Sequence, residues 1–116
     1  MKSTKSSAND LFISICRNEI GVECIKEHQF YQKRKWRFDY AIPVHKIAVE
    51  VDGGVWINGR HNRASGYVKD LDKFNVAASM GWVVLKFTQD NLLRSATLDL
   101  IKETIKNRKN ESVYIG

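Results

Sequence analysis

The chain has a single proline and only two cysteines in 116 residues. One proline leaves no room for a Pro-rich linker or a polyproline segment. Cys16 and Cys24 cannot build a disulfide framework, and neither belongs to a CxxC pair. Together with three histidines they show no zinc-ligand spacing. No apolar run reaches the ~18 residues that a membrane helix needs. Residues 1–9 are rich in Ser and Lys and lack the apolar stretch of a secretory signal. These absences lead us to expect a soluble, cytoplasmic protein with reduced thiols and no membrane partner. Core-forming residues are not lacking: 43% of the chain is hydrophobic and 28% is charged, close to globular averages. The length fits one domain of the usual ~100–150 residues.

Acidic residues are the minority. Thirteen Asp and Glu face nineteen Lys and Arg, for a formal net charge of +6. Such a balance favours an acidic partner, of which nucleic acid is the commonest, and it says nothing about catalysis.

Residues 1–7 read as a flexible basic arm, 8–107 as one domain, and 108–116 as a tail. Over residues 8–18, Leu11, Phe12, Ile15 and Cys16 recur at helical spacing, with Ser6 or Ser7 as cap and Gly21 as stop. Residues 22–30 suit a strand. Two alternating runs, 37–42 and 46–52, flank Pro43-Val44-His45 and read as a β-hairpin. One face would carry Phe38, Tyr40, Ile42, Ile47, Val49 and Val51. The other would carry Arg37, Asp39, Ala41, Ala48, Glu50 and Asp52. A polar loop over 55–64 follows. Then comes a helix over 66–80 with the apolar stripe Tyr67, Leu71, Phe74 and Ala78, ended by Gly81. Residues 82–87 form a continuous apolar strand expected to be buried on both faces. A last helix covers 95–107, with Leu98, Ile101 and Ile105 inward. The element order is α–β–β–β–α–β–α, an α/β fold.

If the hairpin closes through Val44-His45, Pro43 lies opposite Lys46 and Asp39 lies opposite Glu50. Facing side chains have Cβ atoms ~4.5–5.5 Å apart, and like charges placed so are destabilising. Asp52 shares their face. Such a patch is either an ordinary solvated sheet surface or a seat for a hard divalent cation, which prefers oxygen ligands and binds phosphates alongside carboxylates.

Here the motifs converge. Arg37-Phe38-Asp39, Val49-Glu50-Val51-Asp52-Gly53-Gly54, Gly59-Arg60-His61, Asp70-Leu71-Asp72-Lys73-Phe74-Asn75 and Gly81-Trp82-Val83-Val84-Leu85-Lys86-Phe87 stand in order along the chain. The set resembles the PD-(D/E)XK nuclease superfamily, and within it the branch related to very-short-patch repair endonucleases, which includes many small phage-encoded and bacterial proteins. The likeness spans roughly residues 8–105. It implies a restriction-endonuclease-like αβββαβ core, with a central mixed four-stranded sheet flanked by helices. It also implies a metal-dependent DNA endonuclease that hydrolyses phosphodiester bonds with Mg²⁺ or Mn²⁺. Asp39 and Glu50 would hold the metal with the Val51 carbonyl, and water would attack in line without a covalent intermediate. A homodimer is among the assemblies that such nucleases adopt.

Two departures qualify the resemblance. Asp52 stands where the superfamily carries a lysine, so the missing positive or proton-transferring group must come from elsewhere. The related branch uses a histidine on the following loop, and His61 matches it; Lys69 and Lys73 are substitutes. Relatives also carry a glutamate early in the first helix, where this chain has Asn9-Asp10; Asp10 or Glu19 could contribute. Lys69 and Lys73, four residues apart, share a helix face opposite the expected apolar stripe. Arg60 and Arg63 flank His61 as phosphate contacts, and Lys33, Arg34, Lys35 and Arg37 form a basic patch for a DNA backbone. Each of these also has an unexceptional reading as a solvated charge. Trp56 either stacks on a base or covers the open end of the sheet. A catalytically inactive DNA-binding module on the same fold, and a basic assembly module without DNA affinity, remain as competing functions.

Overall fold

The computed structural model describes the backbone of residues 7–52 and 60–115, and the side chains of residues 11–52 and 70–110. Helix α1 (Ser7–Ile15) runs into a π turn (Cys16–Ile20). Strands β1 (Ile25–Gln29), β2 (Arg37–Ile42) and β3 (Ile47–Asp52) follow, then helix α2 (Arg60–Ser79), strand β4 (Val83–Thr88) and helix α3 (Ser95–Ile115). The sheet order is β1-β2-β3-β4. β1/β2 and β2/β3 pair antiparallel, while β3/β4 pair parallel, so the sheet is mixed. A parallel neighbour needs a long crossover, and α2 supplies it.

Helices cover both faces of the sheet. On one side, Phe12, Cys16, Leu92, Ile101 and Ile105 bury Tyr40, Ile42, Ile47 and Val49. On the other, Ala77, with Val76 and Met80 beside it, packs over Ala41, Ala48, Phe38 and Trp82. The small Ala41–Ala48 pair lets α2 approach the sheet closely. Cys16 and Cys24 are free and buried in the first cluster. They hydrogen-bond to each other, and that contact with burial pushes the Cys24 thiol up, which keeps it inert. Among the described residues, no helix is long and apolar enough to cross a membrane.

The hairpin register is the expected one, with Tyr40↔Val49, Ala41↔Ala48 and Ile42↔Ile47. The connection is a 3₁₀ turn, Pro43–His45, closed by the Lys46 N–H donating to the Pro43 carbonyl at 3.1 Å. Lys46 takes the left-handed conformation, φ 54°.

Five expectations are corrected. Phe38 does not join Tyr40 and Ile42; it stacks on Phe30 at 4.1 Å and packs against Trp82 in the α2-side cluster. Along β1/β2 one register runs through Lys26↔Tyr40 and His28↔Phe38, but Glu27, opposite Asp39, is left out of the pairing and stands at φ 53°. β4 is an edge strand and only half-buried, although Val84 packs into one cluster and Leu85 and Phe87 into the other. α2 begins at Arg60, inside the stretch expected to be a loop. Gly66 does not stop it: an interior glycine costs a helix only about 1 kcal/mol, and the surrounding Arg, Ala, Lys and Leu favour it. The buried stripe of α2 is also rotated: Leu71 is 42% exposed and Ala78 is exposed, whereas Val76, Ala77 and Met80 face the sheet. Helix α3 continues through most of the residues read as a tail.

Candidate active site

Strand β2 starts, and β3 and β4 end, at the same edge of the molecule, because β2 runs against β3 and β4 runs with it. Extending the β2/β3 register one step beyond Tyr40↔Val49 brings Asp39 opposite Glu50. There the two side chains replace ladder bonds. The Asp39 N–H donates to Glu50 Oε2 at 3.3 Å, and the Val51 N–H donates to Asp39 Oδ2 at 2.7 Å. Each carboxylate is thus fixed by the opposite strand's backbone, which removes its rotamer freedom and aims both groups into one half-buried spot.

Two facing carboxylates need a counter-charge, and α2 provides one. Lys73 Nζ lies 3.4 Å from both Glu50 oxygens. The pair is largely sheltered, with side-chain exposures of 13% for Lys73 and 17% for Glu50. Burial pushes the Glu50 carboxyl above its ordinary value of 4.5; Lys73 opposes that shift and Asp39 adds to it. Two rings line the Lys73 ammonium, Phe74 at 5.3 Å and Phe38 at 5.7 Å from their centroids. The sequence put Lys73 on the helix face opposite the expected apolar stripe. The rotated stripe places it inward instead, one turn before Val76 and Ala77. Its head is neutralised by Glu50.

Lys86 is a neighbour that the sequence reading passed over. It pairs with Glu50 in the β3/β4 register, and its Nζ stands 3.9 Å from the Phe74 ring centre. The available signal was a lone charge inside the apolar run Val83-Val84-Leu85-Lys86-Phe87. Asp52 is exposed at the end of β3, beside Thr88. It does not converge with Asp39 and Glu50 as a third ligand: among the described residues no three Asp, Glu, His or Cys side chains group to hold an ion.

The basic patch lies at the same end. Lys33, Arg34 and Lys35 are exposed in the β1–β2 turn, and Arg37 is exposed at the start of β2, two residues before Asp39. The turn is braced. Gln29 Nε2 donates to the Arg34 carbonyl at 2.9 Å, the Arg34 guanidinium lies 4.5 Å over Trp36, and Tyr31 stacks on the same ring.

Arg60, His61, Arg63 and Lys69 sit in the first half of α2, so His61 belongs to a helix and not to the preceding loop. Their side chains, that of Asp10 in α1, and Gly53, Gly54 and Trp56 lie outside the described residues. Glu19 is exposed in the π turn. The residues after it, Ile20 to Val22, line a cleft with His45 at the opposite end of β3, so Glu19 is not brought to the carboxylates.

The donor set suits Mg²⁺ or Mn²⁺. Such ions are held through one or two carboxylates while keeping waters and taking phosphate oxygens, and two hard carboxylates on adjacent strands are what β2 and β3 offer. A closed protein cage, as for a structural zinc, is not what these residues form. Compared with known proteins, the chain matches no family model, no curated protein and no solved structure.

Proposed function

We propose that the protein is a metal-dependent DNA endonuclease with a restriction-endonuclease-like core, in which Asp39 and Glu50 form the metal seat. The observation that carries this reading is their meeting on β2 and β3, each carboxylate bonded to a backbone N–H of the facing strand. Mg²⁺ or Mn²⁺, when bound, would polarise the phosphoryl group and lower the pKa of the attacking water. The protein's own part is to orient and to neutralise. Asp39 and Glu50 hold the ion, with the Val51 carbonyl beside them. Lys33, Arg34, Lys35 and Arg37 bring a phosphate backbone to that end of the sheet. Lys73 supplies the positive charge that Asp52 cannot, and His61 is the proton-transferring candidate that the family resemblance offers. The order of elements, α–β–β–β–α–β–α, agrees with the proposed core.

Asp39→Asn and Glu50→Gln should each abolish Mg²⁺- or Mn²⁺-dependent nicking of DNA. A metal contribution of several kcal/mol to the transition state corresponds to a loss of about a thousandfold. Circular dichroism, and DNA affinity measured without divalent metal, should stay near those of the parent. Parental cutting rates in either variant would end the proposal.

A second reading, a DNA-binding module without catalysis, draws on Asp52 at the lysine position and on Lys73 already neutralising Glu50. It expects DNA affinity with no nicking at any metal concentration, so a metal titration against plasmid DNA separates the two.

A further inference from the structure

We infer that Lys73 is a built-in counter-ion that holds the Asp39–Glu50 pair closed until a phosphate draws it away, so that cation loading and nucleic-acid binding are coupled. This rests on the proposed carboxylate site and adds a regulation of it.

The geometry is that of competition. The Lys73 ammonium is equidistant, at 3.4 Å, from the two Glu50 oxygens. That is the place from which a positive charge engages both of them. An ion chelated by Glu50 and Lys73 in its present position would set two positive charges side by side in a sheltered site, where screening is weak. Lys73 has little reason to leave unprompted. Its exposure is 13%, and the neighbouring Phe74 ring already carries Lys86 at 3.9 Å. A backbone phosphate is a stronger lure than solvent, because it offers charged acceptor oxygens for the ammonium. The basic turn ahead of Asp39 brings such a group to this edge of the sheet. Once Lys73 pairs with phosphate, Glu50 is free for the ion. By linkage, the ion must then raise nucleic-acid affinity by the same factor.

The test reads binding rather than turnover. Mn²⁺ affinity of the full chain is measured by electron paramagnetic resonance. Measurements are made with and without a phosphorothioate-linked DNA duplex, against the same duplex alone. The parent should bind Mn²⁺ about tenfold more tightly when DNA is present, within the usual span of coupling between sites. Lys73→Met keeps an unbranched side chain beside Phe38 and Phe74 without the charge. Without DNA it should bind Mn²⁺ about tenfold more tightly than the parent, and DNA should add nothing further. Lys73→Arg, which keeps the charge, should keep the coupling. Lys73→Gln is the replacement if the methionine variant unfolds. Parental Mn²⁺ affinity in Lys73→Met without DNA, or undiminished coupling, overturns the inference. Glu50→Gln separates the two layers. If it binds Mn²⁺ as the parent does, the carboxylate site itself is wrong and the gate falls with it. If it loses Mn²⁺ while Lys73→Met behaves like the parent, the site stands and only the gate falls.

Discussion

At the scale of single residues, Glu50 shows how a charge is kept where burial opposes it. Its carboxyl is sheltered, faces a second carboxylate, and is relieved by one ammonium and one backbone N–H. Burial and Asp39 prevail over Lys73, so its folded-state pKa lies above the ordinary 4.5. The sign of the consequence follows from proton counting. Between the ordinary and the raised value, the native state holds a proton that the unfolded chain has lost. Stability therefore falls as pH rises through that window and stays lower above it. Glu50→Gln is neutral throughout and should lack this component. Urea unfolding at a series of pH values should show the parent losing more stability than Glu50→Gln between acid and neutral pH. Equal pH slopes would mean that Glu50 is solvated like any surface acid.

At the scale of elements, the caps and registers decide what can meet. The π turn after α1 ends on Gly21 at φ 83°, whose N–H donates to the Cys16 carbonyl at 2.8 Å. A Cβ there would meet nothing within 4 Å, so the demand for glycine comes from the backbone alone. Gly21→Ala should cost about 1 kcal/mol, the usual penalty for a non-glycine residue in the left-handed region, and Gly21→Asn should cost less. Chemical denaturation measures both; no loss in the alanine variant would show that the turn relaxes. Much of this scale could be read from the sequence. Alternation over 37–42 and 46–52, with Pro43 between, fixed the hairpin register and therefore the meeting of Asp39 with Glu50. What escaped reading depended on contacts distant in sequence. The phase of α2 followed its fit over Ala41 and Ala48 rather than its own strongest apolar stripe, so Lys73 turned inward and Leu71 outward. Phe38 changed sides at Asp39, where the facing Glu27 of another strand leaves the pairing, which the local alternation does not report. The edge position of β4 was likewise a matter of sheet order, which local pattern does not encode.

For the whole molecule, the proposed function raises the question of how a chain of +6 would present acids to a polyanion without repelling it. The layout answers by separation. The carboxylates are recessed and partly neutralised by Lys73, with Lys86 next in register, whereas Lys33, Arg34, Lys35 and Arg37 project from the braced β1–β2 turn at the same end. A nucleic-acid backbone would meet the cations first and the acids only after docking. Binding should then be dominated by release of counter-ions, and log affinity should fall linearly with log salt, by about 0.9 per phosphate neutralised on duplex DNA. Replacing Lys33, Arg34 and Lys35 together by glutamine removes three of those contacts. The slope should become shallower by roughly 2–3, with affinity weakened at low salt much alike across duplex sequences. Folding should be spared, because the turn is tied through the Arg34 carbonyl and the Tyr31–Trp36 stack rather than through those side-chain charges, Arg34 over Trp36 apart. Fluorescence anisotropy over a salt series reads the slope directly. A variant that kept the parental slope would move the docking surface away from this turn, and with it the path by which a phosphate reaches Asp39 and Glu50.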